Sequence, residues 1–122
     1  MGPLRLTTIT LSAPDPERLG RFYARLLDWE LSVLEHGWVT VHDRAGGVSL
    51  AIQGEPAGYA RPVWPSTPDE QQMMIHLDIR ADDLLGGVRH ALHCGATLAG
   101  YQPHADVRVL LDPAGHPFCI WV

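Results

Sequence analysis

Two side chains able to exchange protons or bind metal, His76 and Asp78, stand two residues apart in the run His76-Leu77-Asp78-Ile79-Arg80. In an extended segment alternate residues share a face, so this imidazole and carboxylate point the same way. Such a pair can serve acid–base chemistry, can form a hydrogen-bonded patch in a binding groove, or can let Asp78 orient a ligand. Cys119 adds a thiol. A nucleophilic role needs a base that the sequence does not place, and a small buried thiol is the ordinary role. His90 and His93, three apart, could hold zinc on one helical face. They suit better an exposed helix surface near its C-terminus, where positive charge is favoured. Trp38, Trp64, Tyr101 and Trp121 can stack on a flat or apolar ligand, or pack in a core or interface. His42, His104 and His116 are dispersed. Gly46-Gly47 and Gly86-Gly87 lack the lysine and spacing of a phosphate loop.

The elements that must position these groups come in a repeated order. Thr8-Ile9-Thr10-Leu11-Ser12-Ala13-Pro14-Asp15 leads into a helix-like run to Leu27, and His76-Leu77-Asp78-Ile79-Arg80-Ala81-Asp82-Asp83 leads into one to Cys94. A single offset of 68 carries Thr8 to His76, Thr10 to Asp78 and Asp15 to Asp83. Asp15 predicts an N-cap and Pro16 a first helical residue. Leu19, Phe22, Tyr23, Leu26 and Leu27 then form an apolar stripe. Strands are predicted at 31–34, 38–42 and 48–53 around a His36-Gly37 turn. In the second half, strands are predicted at 73–80, 97–102, 107–111 and 117–122, with a helix from Asp82 or Asp83 to Cys94 capped by Gly95 and a tight turn at Asp112-Pro113-Ala114-Gly115. Between the halves, 54–71 carries Pro56, Pro62, Pro65 and Pro68, which fit a loop or arm. Tyr59, Val63 and Trp64 are too apolar for a solvated linker, so this arm must fold back onto something.

Ile9, Leu11, Leu77 and Ile79 cover the helices. The opposite faces carry Thr8, Thr10 and Ser12; His76, Asp78 and Arg80; Trp38, Thr40 and His42; and Ser49, Ala51 and Gln53. These rows could be a solvated sheet face. Trp38, Cys119 and Trp121 are poor choices for solvent, which favours a groove.

The bulk numbers fit one globular domain of 122 residues: 46% hydrophobic, 19% charged, net charge −5 from 14 acidic and 9 basic residues. No basic cluster suggests nucleic acid. No apolar run or leader suggests a membrane or export. Two cysteines without CxxC spacing read as free thiols, so a cytoplasmic location is expected.

The strings Asp15-Pro16-Glu17-Arg18, Phe22-Tyr23-Ala24-Arg25-Leu26-Leu27, His76-Leu77-Asp78-Ile79, Gly95-Ala96-Thr97 and Asp112-Pro113-Ala114-Gly115-His116-Pro117-Phe118, in this order, resemble the vicinal oxygen chelate superfamily. That group includes glyoxalase I, bleomycin and fosfomycin resistance proteins and extradiol dioxygenases. The resemblance implies an α+β fold of two tandem βαβββ modules (1–53 and 72–122, joined by the 54–71 arm) with curled mixed sheets around a cavity. It also implies a homodimer. Its metalloenzymes hold a divalent cation with His and Glu on the first and fourth strands of each module. Those slots fall on Thr8, near Ala51 or Gln53, on His76 and on Cys119. Only His76 keeps a usual ligand type, which argues against a catalytic metal in that position. The resulting expectation is a small-molecule binding protein, without cofactor, that sequesters a drug or natural product. His76, Asp78, Gln53, Thr8 and Cys119 supply contacts, and Trp38, Trp64, Tyr101 and Trp121 supply walls. The alternative is a lyase, isomerase or dioxygenase with a divalent metal at His76 and atypical partners.

Overall fold

The computed structural model describes residues 3–55 and 57–122, with the backbone alone at position 36. Pro56, counted in the arm, lies outside the described residues. The chain forms two compact units, Met1–Tyr59 and Ala60–Val122.

The first unit runs β1 (Thr8–Ser12), α1 (Pro16–Leu27), β2 (Glu30–Val33), a 3-10 turn (Glu35–Gly37), β3 (Val39–His42) and β4 (Ser49–Gln53). Its sheet has the order β1-β4-β3-β2, with β1 parallel to β4 and the other pairs antiparallel. Asp15 caps α1 by accepting from the Arg18 N–H at 3.2 Å, with Pro16 behind it where no N–H is needed. The helix stops at Asp28, which adopts the left-handed region at φ 56° and donates its N–H to the Ala24 carbonyl. Aspartate tolerates that region better than most residues. The apolar stripe buries Leu19, Phe22 and Tyr23, and α1 lies against β2, β3 and β4. Large side chains of this kind contribute about 1.5–3 kcal/mol each on burial. Gly20 permits close approach of helix and sheet. A Cβ there would sit 2.6 Å from Val39 Cγ2 and 3.0 Å from Leu31 Cδ1.

The second unit repeats the plan: β5 (Leu77–Arg80), α2 (Leu84–Cys94), β6 (Thr97–Leu98), β7 (Val107–Leu111) and β8 (Pro117–Trp121), in the sheet order β5-β8-β7-β6. Asp83 caps α2 by accepting from Gly86 N at 2.8 Å. Gly95, at φ 120°, closes it on the Ala91 and Leu92 carbonyls. Phe118, Ile120, Leu110 and Ala91 are buried, and α2 lies against β7 and β8. Among the described residues no helix is long and apolar enough to cross a membrane.

Three predicted boundaries move. The strand predicted from Met73 starts only at Leu77, so His76 precedes the ladder by one residue. The strand predicted over 97–102 ends at Leu98. Past it, the Gln102 side chain continues the pairing. Its amide nitrogen donates to the Ala99 and Val109 carbonyls, and its oxygen accepts from Val109 N, each at 2.8 Å. The proline-rich arm divides. Residues from Ala60 onward belong to the second unit, where Val63 N donates to the Gln71 carbonyl at 2.9 Å and closes a loop.

Candidate functional site

The strand register decides which side chains meet. β5 and β8 are parallel neighbours with Asp78 opposite Cys119, and antiparallel β7 sets Val109 on the other side of Cys119. Leu77, Ile79, Phe118 and Ile120 take the intervening positions, where the last two are buried. Asp78, Cys119 and Val109 therefore make one row on the face opposite to theirs.

The imidazole of His76, one residue before β5, turns onto this row. Its Nε2 is 3.5 Å from Asp78 Oδ1, an ion-pair distance rather than a good hydrogen bond. One donor atom from each of His76, Asp78 and Cys119 lies within 4.8 Å of the others. The imidazole and carboxylate remain reachable, with 42% and 60% of their side chains exposed. Burial, followed by the Asp78 charge and the hydrogen bond that Asp78 accepts, pushes the Cys119 thiol above its ordinary range. A thiol so placed stays protonated at neutral pH, which removes the driving force for nucleophilic catalysis.

These three groups form the polar end of a cavity of about 330 Å³, whose walls are Trp64, Met73, Pro103, His104, Val107, Val109 and Pro117. Every lining residue belongs to the second unit. The supports are local. Trp64 donates its indole N–H to the Tyr101 carbonyl at 3.2 Å, with ring centroids 6.0 Å apart. Arg108 draws the approach to β7 inward by donating to the Ala105, Val107 and His104 carbonyls at 2.8, 3.0 and 3.4 Å. The buried Asp112 carboxylate accepts from Ala114 N and His116 N, both at 2.9 Å, and fixes the turn that starts β8.

Of the residues singled out from sequence, His76, Asp78, Cys119 and Trp64 line this cavity. Tyr101 stands behind Trp64. Trp121 follows Cys119 on the same strand face, but its ring lies under the Arg80 guanidinium at 5.4 Å and is not part of the wall. Thr8, Trp38 and Gln53 belong to the first unit. Gln53 is half-buried and donates to Ser12 Oγ at 3.4 Å. Trp38 caps the 3-10 turn and is exposed. His42 and Arg44 both meet Glu30, at 3.0 Å each, and hold its carboxyl below the usual range, Arg44 foremost. His90 Nε2 lies 3.8 Å from Cys94 Sγ; no metal-sized cluster among the described residues includes His90 or His93. Sequence reasoning missed His104, Met73, Pro103, Val107, Val109 and Pro117 as wall residues. Alternation along β7 was the available signal for the two valines, since Val109 pairs with Cys119. The others sit on irregular backbone or at a strand end, and no period marks them.

The repeat offset extends to the closing strands, which the sequence left open. Thr10 pairs with Ala51 as Asp78 pairs with Cys119, so the residue equivalent to Cys119 is Ala51 and not Gln53. The positions that the family resemblance assigns to a divalent cation, Thr8, Ala51, His76 and Cys119, therefore carry a hydroxyl, a methyl group, an imidazole and a thiol. This set does not fit such a cation: a methyl is no donor, and a neutral hydroxyl is a weak one.

Comparisons agree with this architecture. Residues 8–121 match the family model of the glyoxalase-like domain. No curated protein matches the sequence significantly. Among solved structures, the chain is similar to TnmS3, an antibiotic binding protein from Streptomyces sp. CB03234, with 19% identity, 99% of this chain and 97% of that chain covered, and a TM-score of 0.63. It is also similar to a glyoxalase/bleomycin resistance protein/dioxygenase family enzyme from Burkholderia phytofirmans PsJN, with 16% identity, 96% and 97% covered, and a TM-score of 0.71. A glyoxalase/bleomycin resistance protein from Streptomyces sp. CB03234 matches at 18% identity, 97% and 100% covered, with a TM-score of 0.57. These likenesses concern the fold.

Proposed function

The chain belongs to the glyoxalase-like domain family, and from that premise we propose that it is a small-molecule binding protein with no catalytic metal at the family's usual position. The observation that carries this reading is the cavity of the second unit. Its 330 Å³ falls at the lower end of the roughly 300–1,000 Å³ of small-molecule sites, and mostly apolar walls with a few convergent polar groups are what such sites use. Trp64 and the valines bind an apolar body. His76 and Asp78 meet a polar substituent. Sequestration of a drug or natural product fits this arrangement, and the antibiotic-binding relative lends it support. Homodimerisation belongs to the same proposal and is read from the mass in sedimentation.

A panel of drug-like aromatic compounds screened by thermal shift tests the reading. A binder at about 100 times its Kd stabilises the fold by roughly 2.7 kcal/mol. Trp64→Ala weakens that stabilisation, and Val107→Trp, which fills the cavity, abolishes it. A panel without any stabiliser, or a stabiliser indifferent to both substitutions, overturns the proposal. The second reading, a metal-dependent lyase, isomerase or dioxygenase, draws on the His76–Asp78–Cys119 cluster alone, because the family's other positions supply no adequate donor.

A further inference from the structure

We propose that His76, Asp78 and Cys119 form a binding site of their own for a thiophilic divalent cation of the zinc class. The donors are an imidazole nitrogen, a carboxylate oxygen and a thiol sulfur, all within 4.8 Å of one another. In a tetrahedral zinc site with bonds of about 2.0–2.3 Å, neighbouring ligands stand roughly 3.3–3.8 Å apart. The 3.5 Å between His76 Nε2 and Asp78 Oδ1 already matches. The remaining separations are no more than 4.8 Å, and Asp78 and Cys119 stand opposite each other on adjacent strands. A mixed nitrogen, oxygen and sulfur set favours zinc-class ions over magnesium or calcium, which demand oxygen.

The site is not the four-position arrangement that the family resemblance implies. It shares His76 and Cys119 with that arrangement, takes no residue from the first unit, and adds Asp78 from a position that arrangement leaves out. The molecule holds its own control. The same offset that relates the two units places Thr8, Thr10 and Ala51 where the second has His76, Asp78 and Cys119, and that trio cannot chelate. On binding, the cation replaces the thiol proton, which passes to water, and a sulfur–metal bond forms. Three protein ligands leave one tetrahedral position for water or another donor. Beside the apolar walls of Trp64 and Val109, that position would take a ligand whose polar end is itself a metal donor. The inference deepens the cavity reading, but cation binding is measured with no organic compound present, so either can fail alone.

The test is titration of the full chain, purified without chelator and then stripped by dialysis, with Co²⁺ followed by Zn²⁺. One equivalent of Co²⁺ is expected, with near-ultraviolet thiolate-to-cobalt charge-transfer absorption that Zn²⁺ abolishes. The band persists in Cys94→Ser and vanishes in Cys119→Ser. His76→Ala and Asp78→Asn weaken Co²⁺ binding by more than the roughly 10- to 100-fold that loss of an outer-shell partner costs, with unchanged circular dichroism. No thiolate band, or a band that survives Cys119→Ser, overturns the proposal. Should Cys119→Ser fail to fold, wild-type protection decides: Zn²⁺ must slow iodoacetamide labelling of Cys119, and unchanged labelling overturns it.

Discussion

Thr10 and Ala51 in the first unit hold the same ladder positions as Asp78 and Cys119 in the second, and the offset of the repeat sets Thr8 against His76. Both units cap their helices with an aspartate three residues before the N–H it accepts from. Both extend the parallel pair by an alanine N–H, Ala13 to the Gln53 carbonyl at 3.0 Å and Ala81 to the Trp121 carbonyl at 2.8 Å. The repeated plan therefore resides in caps, ladders and the helix-covered face. The opposite face is released from that duty, and there the units diverge. One carries small hydroxyls and a methyl; the other carries three ligating groups at the end of a cavity. The lesson is that a shared scaffold fixes where side chains meet and leaves their chemistry to single positions.

The helices differ as well, and this difference predicts the largest effect. Phe22 is buried, in edge-to-face contact with Tyr23 at 4.9 Å between centroids, whereas the equivalent α2 position is the exposed His90. Phe22→Ala should destabilise the chain by about 3–5 kcal/mol. His90→Ala should cost less than about 1 kcal/mol. Chemical denaturation measures both, and equal losses would break the contrast between a large-residue helix and a small-residue one.

The hairpin turns give the next largest effect. The carboxylate of Asp112, 1% exposed, accepts two backbone N–H groups, whereas the Asp43 carboxylate accepts from Ala45 N at 3.0 Å on the surface. Asp112→Ala should cost about 2–3 kcal/mol, because buried donors lose a charged acceptor. Asp43→Ala should stay within about 0.5 kcal/mol. A Tm series separates them. Asp112→Ala should also weaken any cavity ligand, since this turn sets the start of β8.

The smallest effect concerns Cys119, where the first unit has Ala51 and no thiol. Its raised thiol predicts slow alkylation at neutral pH, with the rate climbing only as the pH passes above the ordinary thiol range. Asp78→Asn removes a neighbouring negative charge and should speed labelling severalfold. The stability linkage has a definite sign. The folded thiol is raised above its unfolded value, so its contribution is present below the unfolded pKa and is lost as pH rises toward the folded one. Peptide mapping of iodoacetamide adducts against pH reports on Cys119 apart from Cys94. Fast labelling at neutral pH would show that Asp78 and burial do not control this thiol.

Local rules made much of this molecule legible. Asp15-Pro16 and Asp83 are capping signals, the Leu19–Phe22–Tyr23 stripe has helical period, and Val39, Val41, Leu50 and Ile52 alternate. Each depends on neighbours within a few residues. The polar pair His76 and Asp78 was visible for the same reason. The end of β6 was not, because Gln102 takes over backbone pairing with its side chain, and nothing in its immediate sequence distinguishes that role from a strand residue. Trp38 and Gln53 read as companions of His76, yet they occupy a different compact unit from the cavity.

By itself the sequence determined the repeat, the order of its elements and the faces that must be apolar, since periodicity and capping are short-range properties of the chain. Only the tertiary structure decided that Cys119 faces Asp78, that Ala51 is its silent equivalent, and that Trp64, His104 and Val109 close one cavity around them. Strand register and loop return join residues dozens of positions apart, and such pairings are settled by which packed arrangement buries the apolar faces while satisfying the backbone.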